Sequence, residues 1–371
     1  MPLETDENYG LAESSSRQEF AAPELPYRPV EPKNYHPAIG VIGCGGISVQ
    51  HLRAYTAAGY AVVALCNRHD EKAREAQQKF YPNAQVYTDY RELLKRDDIE
   101  VVDLTPHPED RAKMYAEVIE AGKHLLSQKP FVTDLRFGER IAELAEKKGV
   151  KLAVNQNGRW APHFSYMRQA IKAGLLGDIL SAHLSVSWNH NWIGGSEYEK
   201  MKYLILYDFG IHWFDIVTCF MGAKQPQRVY ASTAHTPSQQ VKPPLLSQVL
   251  IEYEDAQASL TFDADTRYGE QDRTYIAGSK GTIASLGPDL MTQQVTLATP
   301  AGLASPVLEG VWFPDGFHGA MAELLCAIEE HREPEHSARN NLRSLALCFA
   351  ALQSAENHEP VVPGTVHTLV M

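Results

Sequence analysis

Basic excess is missing from this chain. Lys and Arg number 34 against 46 Asp and Glu, for a formal net charge of −12. A nucleic-acid partner needs cationic side chains to neutralise phosphates, so that class is excluded. A small anionic ligand is not, because a few local N–H groups can hold one. Cysteine is scarce too: Cys44, Cys66, Cys219, Cys326 and Cys348 are scattered and odd in number. They form neither a metal-type spacing nor a disulfide framework, which points to a reducing compartment and no metal site. No apolar run is long enough to span a bilayer. The opening MPLETDENYGLAESSSRQEF has no basic region, no apolar segment and no twin arginine. We therefore expect no membrane association, no export signal and residence in the cytoplasm. Internal repeats and low-complexity tracts are lacking as well.

What is present suggests two domains, since 371 residues exceed one ordinary domain. Residues 1–37 form a polar, proline-containing arm with no periodic apolar pattern. Two readings stand for it: a disordered leader, or an extended arm lying across a neighbouring domain or subunit. Residues 38–156 alternate apolar strands with amphipathic helices. Strands are expected at 38–43, 61–67, 85–87, 100–105, 124–129 and 151–156, and helices at 47–58, 70–79, 109–121 and 134–148. Continuous apolar strands joined by helices imply an α/β, doubly wound parallel sheet covered on both faces, the Rossmann dinucleotide-binding architecture. Residues 157–371 change character. Helices are expected at 162–172, 208–221, 317–331 and 338–356. Alternating strands fall at 178–190, 227–235, 245–254, 257–265, 272–277 and 281–286. These describe a mostly antiparallel sheet with one face on helices.

The chemistry begins at Gly43-Cys44-Gly45-Gly46-Ile47-Ser48, directly after the first strand. Glycines there let the backbone turn tightly and approach a pyrophosphate, and the next helix aims free N–H groups at it. Gly43, Gly45, Gly46 and Ile47 are the candidate phosphate-loop residues. Ser48 stands at the third glycine position of the fingerprint. At the end of the second strand, where NAD enzymes usually place an acid, stand Asn67 and Arg68. A neutral amide still bonds a ribose, and an arginine pairs with a 2′-phosphate, so NAD and NADP both stay open. Thr105, Pro106 and His107 end another strand, where the nicotinamide half would pass. Ser127-Gln128-Lys129-Pro130 ends the next; such strand ends face ligands in open parallel sheets. Lys129 there can hydrogen-bond a substrate hydroxyl. Asn155-Gln156-Asn157 follows the last strand of this half. Its amides either bond a nicotinamide carboxamide, with Asn157 the candidate, or cap the next helix.

In the second half, Asp208, His212 and Asp215 share one face at helical spacing. A histidine with a carboxylate one turn away is a natural general base, oriented by that carboxylate. Trp188-Asn189-His190-Asn191-Trp192 combines aromatic faces with polar donors, which suits a sugar or polyol as well as plain packing. The candidate substrate contacts are Lys129, Arg159, Trp188, His190, Asp208 and His212.

Glycine loop, strand-end Lys129-Pro130 and Asp208-x-x-x-His212, in this order, resemble the Gfo/Idh/MocA family of oxidoreductases. The resemblance runs from residue 38 to about 360 and includes Gly278-Ser279-Lys280-Gly281-Thr282 and the segment beginning PDGFHGAMAELL. It implies a Rossmann domain followed, over 157–371, by an α/β domain with a large, mostly antiparallel open sheet for substrate binding and oligomerisation. It also implies NAD(P), usually a sugar, polyol or related cyclic substrate, and catalytic roles for Lys129, Asp208 and His212. Two positions depart from the family pattern: Gln128 replaces the usual Glu, removing a charge beside Lys129, and Asn67 replaces the strand-end acid. The expected activity is transfer of a hydride between nicotinamide and a secondary alcohol or ketone, in a homodimer or homotetramer. The alternatives are an NAD-recycling glycoside hydrolase or lyase, and a non-catalytic dinucleotide-binding protein.

Overall fold

The computed structural model describes residues 18–369. The first sheet is built from β1 (Ala38–Ile42), β2 (Val62–Cys66), β3 (Gln85–Tyr87), β4 (Ile99–Leu104), β5 (His124–Ser127) and β6 (Leu152–Val154). Their order is β3-β2-β1-β4-β5-β6 and every pair is parallel. The connecting helices are α1 (Ser48–Ala58), α2 (Asp70–Phe80), α3 (Tyr90–Leu94), α4 (Pro108–Glu120) and α5 (Leu135–Lys148). Chain order reverses between β1 and β4, and that switch point is where open parallel sheets bind ligands. The helix ends follow local chemistry. Asp89 and Asp134 accept from the N–H of Arg91 and Phe137 to cap α3 and α5. Gly59, at φ 75°, closes α1 in the left-handed region.

The second half opens with α6 (Pro162–Lys172) and β7 (Ile179–Ser187), then α7 (Ile211–Met221). There follow β8 (Pro226–Ala234), β9 (Leu246–Tyr253), β10 (Gln257–Asp263), β11 (Gln271–Gly278), β12 (Thr282–Gly287), β13 (Gln294–Thr299) and β14 (Gly302–Ala304). The eight strands run β14-β13-β12-β11-β7-β10-β9-β8, antiparallel except for β7 beside β10. Burial alternates strictly along β9 and β10, so one face meets helices and the other meets solvent. The β13–β14 hairpin is an addition to the strands read from the sequence, and β14 is only three residues long.

Two helices, α8 (Trp312–Glu329) and α9 (Ala338–Asn357), return to the first sheet. Phe317, Met321, Leu324 and Leu325 of α8 share a core with Ile39, Val41 and Tyr55. Each such side chain contributes roughly 1.5–3 kcal/mol by leaving water. The N–H of Val154 donates to the carbonyl of His336, just before α9. The two sheets are thus tied by the chain's last helices as well as by its middle.

Residues 18–37 lie along the protein itself. The N–H of Phe20 donates to the carbonyl of Leu303, extending the β14 edge. Tyr166 donates to the Pro23 carbonyl and Ser165 to the Tyr27 carbonyl, both from α6. Glu329 of α8 accepts from the backbone N–H groups of Lys33, Asn34 and Tyr35. Residues 1–17 of the expected arm lie outside the described residues.

Candidate active site

The carboxyl ends of the parallel strands form one continuous rim. Gly43 turns at φ 98°, and a Cβ there would sit 2.5 Å from Thr105 Oγ1 and 2.9 Å from Pro106 Cδ. Only glycine fits that approach. Thr105 in turn donates to the Gly43 carbonyl at 2.7 Å, locking β4 to the loop across the switch point. A Cβ on Gly45 or Gly46 would meet nothing within 4 Å, and both glycines are exposed. The loop therefore offers bare backbone to solvent ahead of the N-terminus of α1. Ile47 is the N-cap residue of that helix. Ser48 is buried and donates to the Gly45 carbonyl at 2.6 Å, bracing the loop from below. A small hydroxyl thus serves where the fingerprint has glycine.

Asn67 uses both ends of its amide locally. Its Oδ1 accepts from the Cys44 N–H at 3.1 Å and its Nδ2 donates to the His69 carbonyl at 2.9 Å. It shapes the glycine loop from the β2 side. Arg68 beside it is exposed and makes no ion pair among the described residues. Pro106 presents its carbonyl to the Arg111 guanidinium, and His107 is exposed at the N-terminus of α4.

At the end of β5 the Lys129 ammonium donates to the Asp208 carbonyl at 2.8 Å and to Asp208 Oδ1 at 3.1 Å. The partners lie 79 residues apart and join the two halves of the chain. Asp208 belongs to a π-helical turn, Ile205–Phe209, followed by Gly210 and α7. The single helix expected over 208–221 is therefore broken between Asp208 and His212. The expected orienting contact between those two is not made; the Asp208 carboxylate serves Lys129. His212 is partly buried, and its Nδ1 has no hydrogen-bond partner among the described residues. Burial, and then repulsion from the Lys129 ammonium, hold its pKa well below the usual histidine value. A neutral imidazole is the state a proton acceptor needs.

Trp188 stacks on Phe209 at 4.1 Å between ring centroids, and Phe209 stacks on Trp213 at 4.6 Å. Trp188 Nε1 donates to His190 Nδ1 at 2.8 Å. His190 is thereby left with its proton on Nε2, a donor position. Burial pushes its pKa down to about 4, against the opposing pull of Asp208. Trp192 keeps 66% of its surface exposed next to the His190 ring. Lys129, Asp208, His212, Trp188 and His190 are thus brought to one region.

Three candidates do not join it as expected. Arg159 is 2% exposed and makes a two-pronged ion pair with Asp215, at 2.6 and 2.7 Å. It also donates to the Glu335 carbonyl and to Asn340 Oδ1. It is a buried strut, not a substrate contact, and Asp215 is its counter-ion rather than part of the His212 face. Gln128 is also buried, with its amide directed at His51 and at the Lys129 N–H. Asn157 spends its Oδ1 on the indole N–H of Trp312, at 3.1 Å.

Of two further residues at the site, Gln156 was visible in the sequence only as part of the Asn155–Asn157 amide run, and Trp312 carried no signal at all. Gln156 follows β6 with both amide atoms buried and without partners, the kind of orphaned pair a carboxamide would satisfy. Trp312 lies edge-on to His212 at 5.6 Å. It arrives from a helix 100 positions further along the chain, so no spacing rule reaches it. The bare glycine loop and the orphaned Gln156 amide together suit a dinucleotide lying along the rim.

Fold and site define a two-domain, dinucleotide-dependent oxidoreductase. The chain belongs to the Gfo/Idh/MocA family: the NAD-binding Rossmann-fold oxidoreductase family matches residues 38–156, and the GFO/IDH/MocA C-terminal domain matches residues 164–284. D-apiose dehydrogenase of Paraburkholderia graminis is 25% identical over 86% of this chain and 88% of its own length. Inositol 2-dehydrogenase of Rhizobium meliloti is 24% identical over 85% of this chain and 96% of its own. Among solved structures, levoglucosan dehydrogenase in complex with NADH superposes with a TM-score of 0.77 at 19% identity, covering 88% of this chain and 99% of that one.

Proposed function

We propose that this chain is an NAD-dependent dehydrogenase acting on a secondary alcohol of a sugar, polyol or related cyclic substrate, or on the matching ketone. The observation that carries the reading is the meeting of Lys129 with Asp208 at 3.1 Å beside the neutral, partner-free His212. The sugar-directed relatives support the substrate class. The rim from Arg68 through Gly43–Gly46 and Thr105–His107 to Gln156 would hold the cofactor. When bound, a nicotinamide supplies the two-electron acceptor for the carbinol carbon. Lys129, steered by Asp208, hydrogen-bonds the substrate oxygen and favours its alkoxide character. His212, held neutral by its burial, takes the hydroxyl proton on its imidazole. His190 donates from Nε2 to a ring hydroxyl, and the exposed face of Trp192 covers an apolar sugar face. Arg68 leaves NADP as a competing cofactor, because nothing acidic at Asn67 repels a 2′-phosphate.

The same reading makes the protein a cytoplasmic homodimer or homotetramer. The five thiols, all free, support a reducing compartment, which cell fractionation checks. The decisive experiment screens sugars and polyols with NAD and with NADP, following reduced nicotinamide absorbance. Lys129→Ala and His212→Ala should each lower turnover by about 10² or more. Equal turnover in both variants and the parent would overturn the assignment.

A further inference from the structure

Behind Lys129 lies a buried polar chain that the proposed reaction does not touch. His51 of α1 and Asp103 of β4 are both fully buried and meet at 2.7 Å, Nδ1 to Oδ2. Tyr55 donates to the same carboxylate oxygen at 2.8 Å. On its other side, His51 Nε2 faces Gln128 Nε2 at 3.0 Å and Asn155 Nδ2 at 3.1 Å. Gln128 then accepts the backbone N–H of Lys129 on Oε1 at 2.6 Å.

Each group has one role available. A carboxylate accepts, so His51 carries its proton on Nδ1 and gives it to Asp103. Nε2 is then the acceptor, and both amides must present N–H to it. The Lys129 N–H fixes the remaining end of Gln128 as acceptor. A reversed amide would break both bonds at once. The opposite side of the turn is held independently. Arg111 donates to the carbonyls of Pro106 and Pro130, and Tyr115 donates to the carbonyl of Phe131 at 3.0 Å.

We infer that His51 and Gln128 are positioning residues, which set the Lys129 ammonium by fixing its peptide through the order Asp103–His51–Gln128–Lys129. The arrangement gives Gln128 a reason. A carboxylate there would confront the bare Nε2 of His51 and draw in a proton, giving the relay two states instead of one. Asp103 Oδ1 and Asn155 Oδ1 are buried without partners, so the network is kept despite its cost to stability. The titratable groups hydrogen-bonded to His51 are Asp103 and Tyr55; from α8 the Phe317 ring lies against it, with ring centroids 4.8 Å apart.

The inference rests on the dehydrogenase reading, so its test has two arms. In the first, Gln128→Ala should lower kcat about tenfold or more, the scale of a misplaced reacting group, with KM values within about twofold. Gln128→Glu should recover kcat at low pH and lose it as pH rises, with an ionisation absent from the parent. In the second, acetic anhydride labelling of Lys129 is read by mass spectrometry without any turnover. Its rate should change in Gln128→Ala and in His51→Phe. Unchanged kcat and labelling in Gln128→Ala overturn the inference. So does a lowered thermal midpoint in that variant with kcat and labelling unaltered. If Gln128→Ala does not fold, the pH profile of Gln128→Glu decides: a profile matching the parent overturns it. Failure of the parent to oxidise any sugar would sink the dehydrogenase reading and leave the labelling arm standing.

Discussion

Arg159 and Asp208 show how little residue type says until burial and partners are known. Both were credible substrate contacts, polar residues near the end of a structural element. Arg159 is sealed in by Asp215, Asn340 and the Glu335 carbonyl, and Ser344 adds a bond to Asp215 at 2.8 Å. The pair ties the turn at 157–160 to α7 and α9. Arg159→Met should therefore leave Asp215 buried and unpaired, at a cost of about 3–5 kcal/mol. Urea unfolding measures that loss. The KM of the folded fraction for sugar should stay unchanged; a raised KM without a stability loss would return Arg159 to the substrate. Asp208 moved the other way, from partner of His212 to partner of Lys129. The departure from regular helix at Ile205–Phe209 makes the difference, since it rotates Asp208 out of register with His212. Nothing in the residue spacing announces a π-helical turn.

Among the elements, the parallel strands were the most legible. Apolar runs between glycines and charged helices leave little choice but a covered parallel sheet, and strand ends then place Gly43, Asn67, Thr105 and Lys129 on one rim. Less legible were β13 and β14, the latter only three residues long, and the start of α8, which begins at Trp312 rather than at 317. The outer face of the second sheet is an element with a consequence. Tyr230 and Leu250 pair across β8 and β9 with both side chains exposed, and Leu286 of β12 is exposed on its own strand. Exposed apolar pairs on a broad sheet favour a symmetric partner. The proposed oligomer should use this face, and Leu250→Asp should weaken it by at least about tenfold in Kd, as a buried unpaired charge would. Sedimentation velocity reads both species. A parent that sediments as a monomer at micromolar concentration defeats the idea.

At the scale of the whole molecule, buried titratable groups set how stability depends on pH. Burial pushes His124 and His190 down to about 4 and His163 down to about 3. Below about 6.5 the unfolded chain takes up protons that the folded chain refuses, so stability falls as pH falls. Asp272 works in the other direction. Burial, and then the charge of Asp289, push it up to about 8. The folded chain keeps a proton there that the unfolded chain releases above about 4, so stability falls as pH rises towards 8. Each group contributes a slope of at most about 1.4 kcal/mol per pH unit. Urea unfolding across pH 5–9 should show a maximum near neutrality, and Asp272→Asn should flatten its alkaline side. Stability climbing steadily through pH 8 in the parent would contradict this.

The sequence by itself determined the class of protein. Glycines after a buried strand, a lysine at a strand end and Asp208 with His212 are local features, and local periodicity carries them. It also determined the sheet types, because burial on two faces or one leaves different patterns in a strand. The tertiary structure alone decided the partnerships. Lys129 finds Asp208 across 79 residues, Gln128 turns from the cleft to His51, and Trp312 comes to His212 from the penultimate helix. Such contacts depend on how layers pack, and packing brings together residues between which no sequence spacing exists.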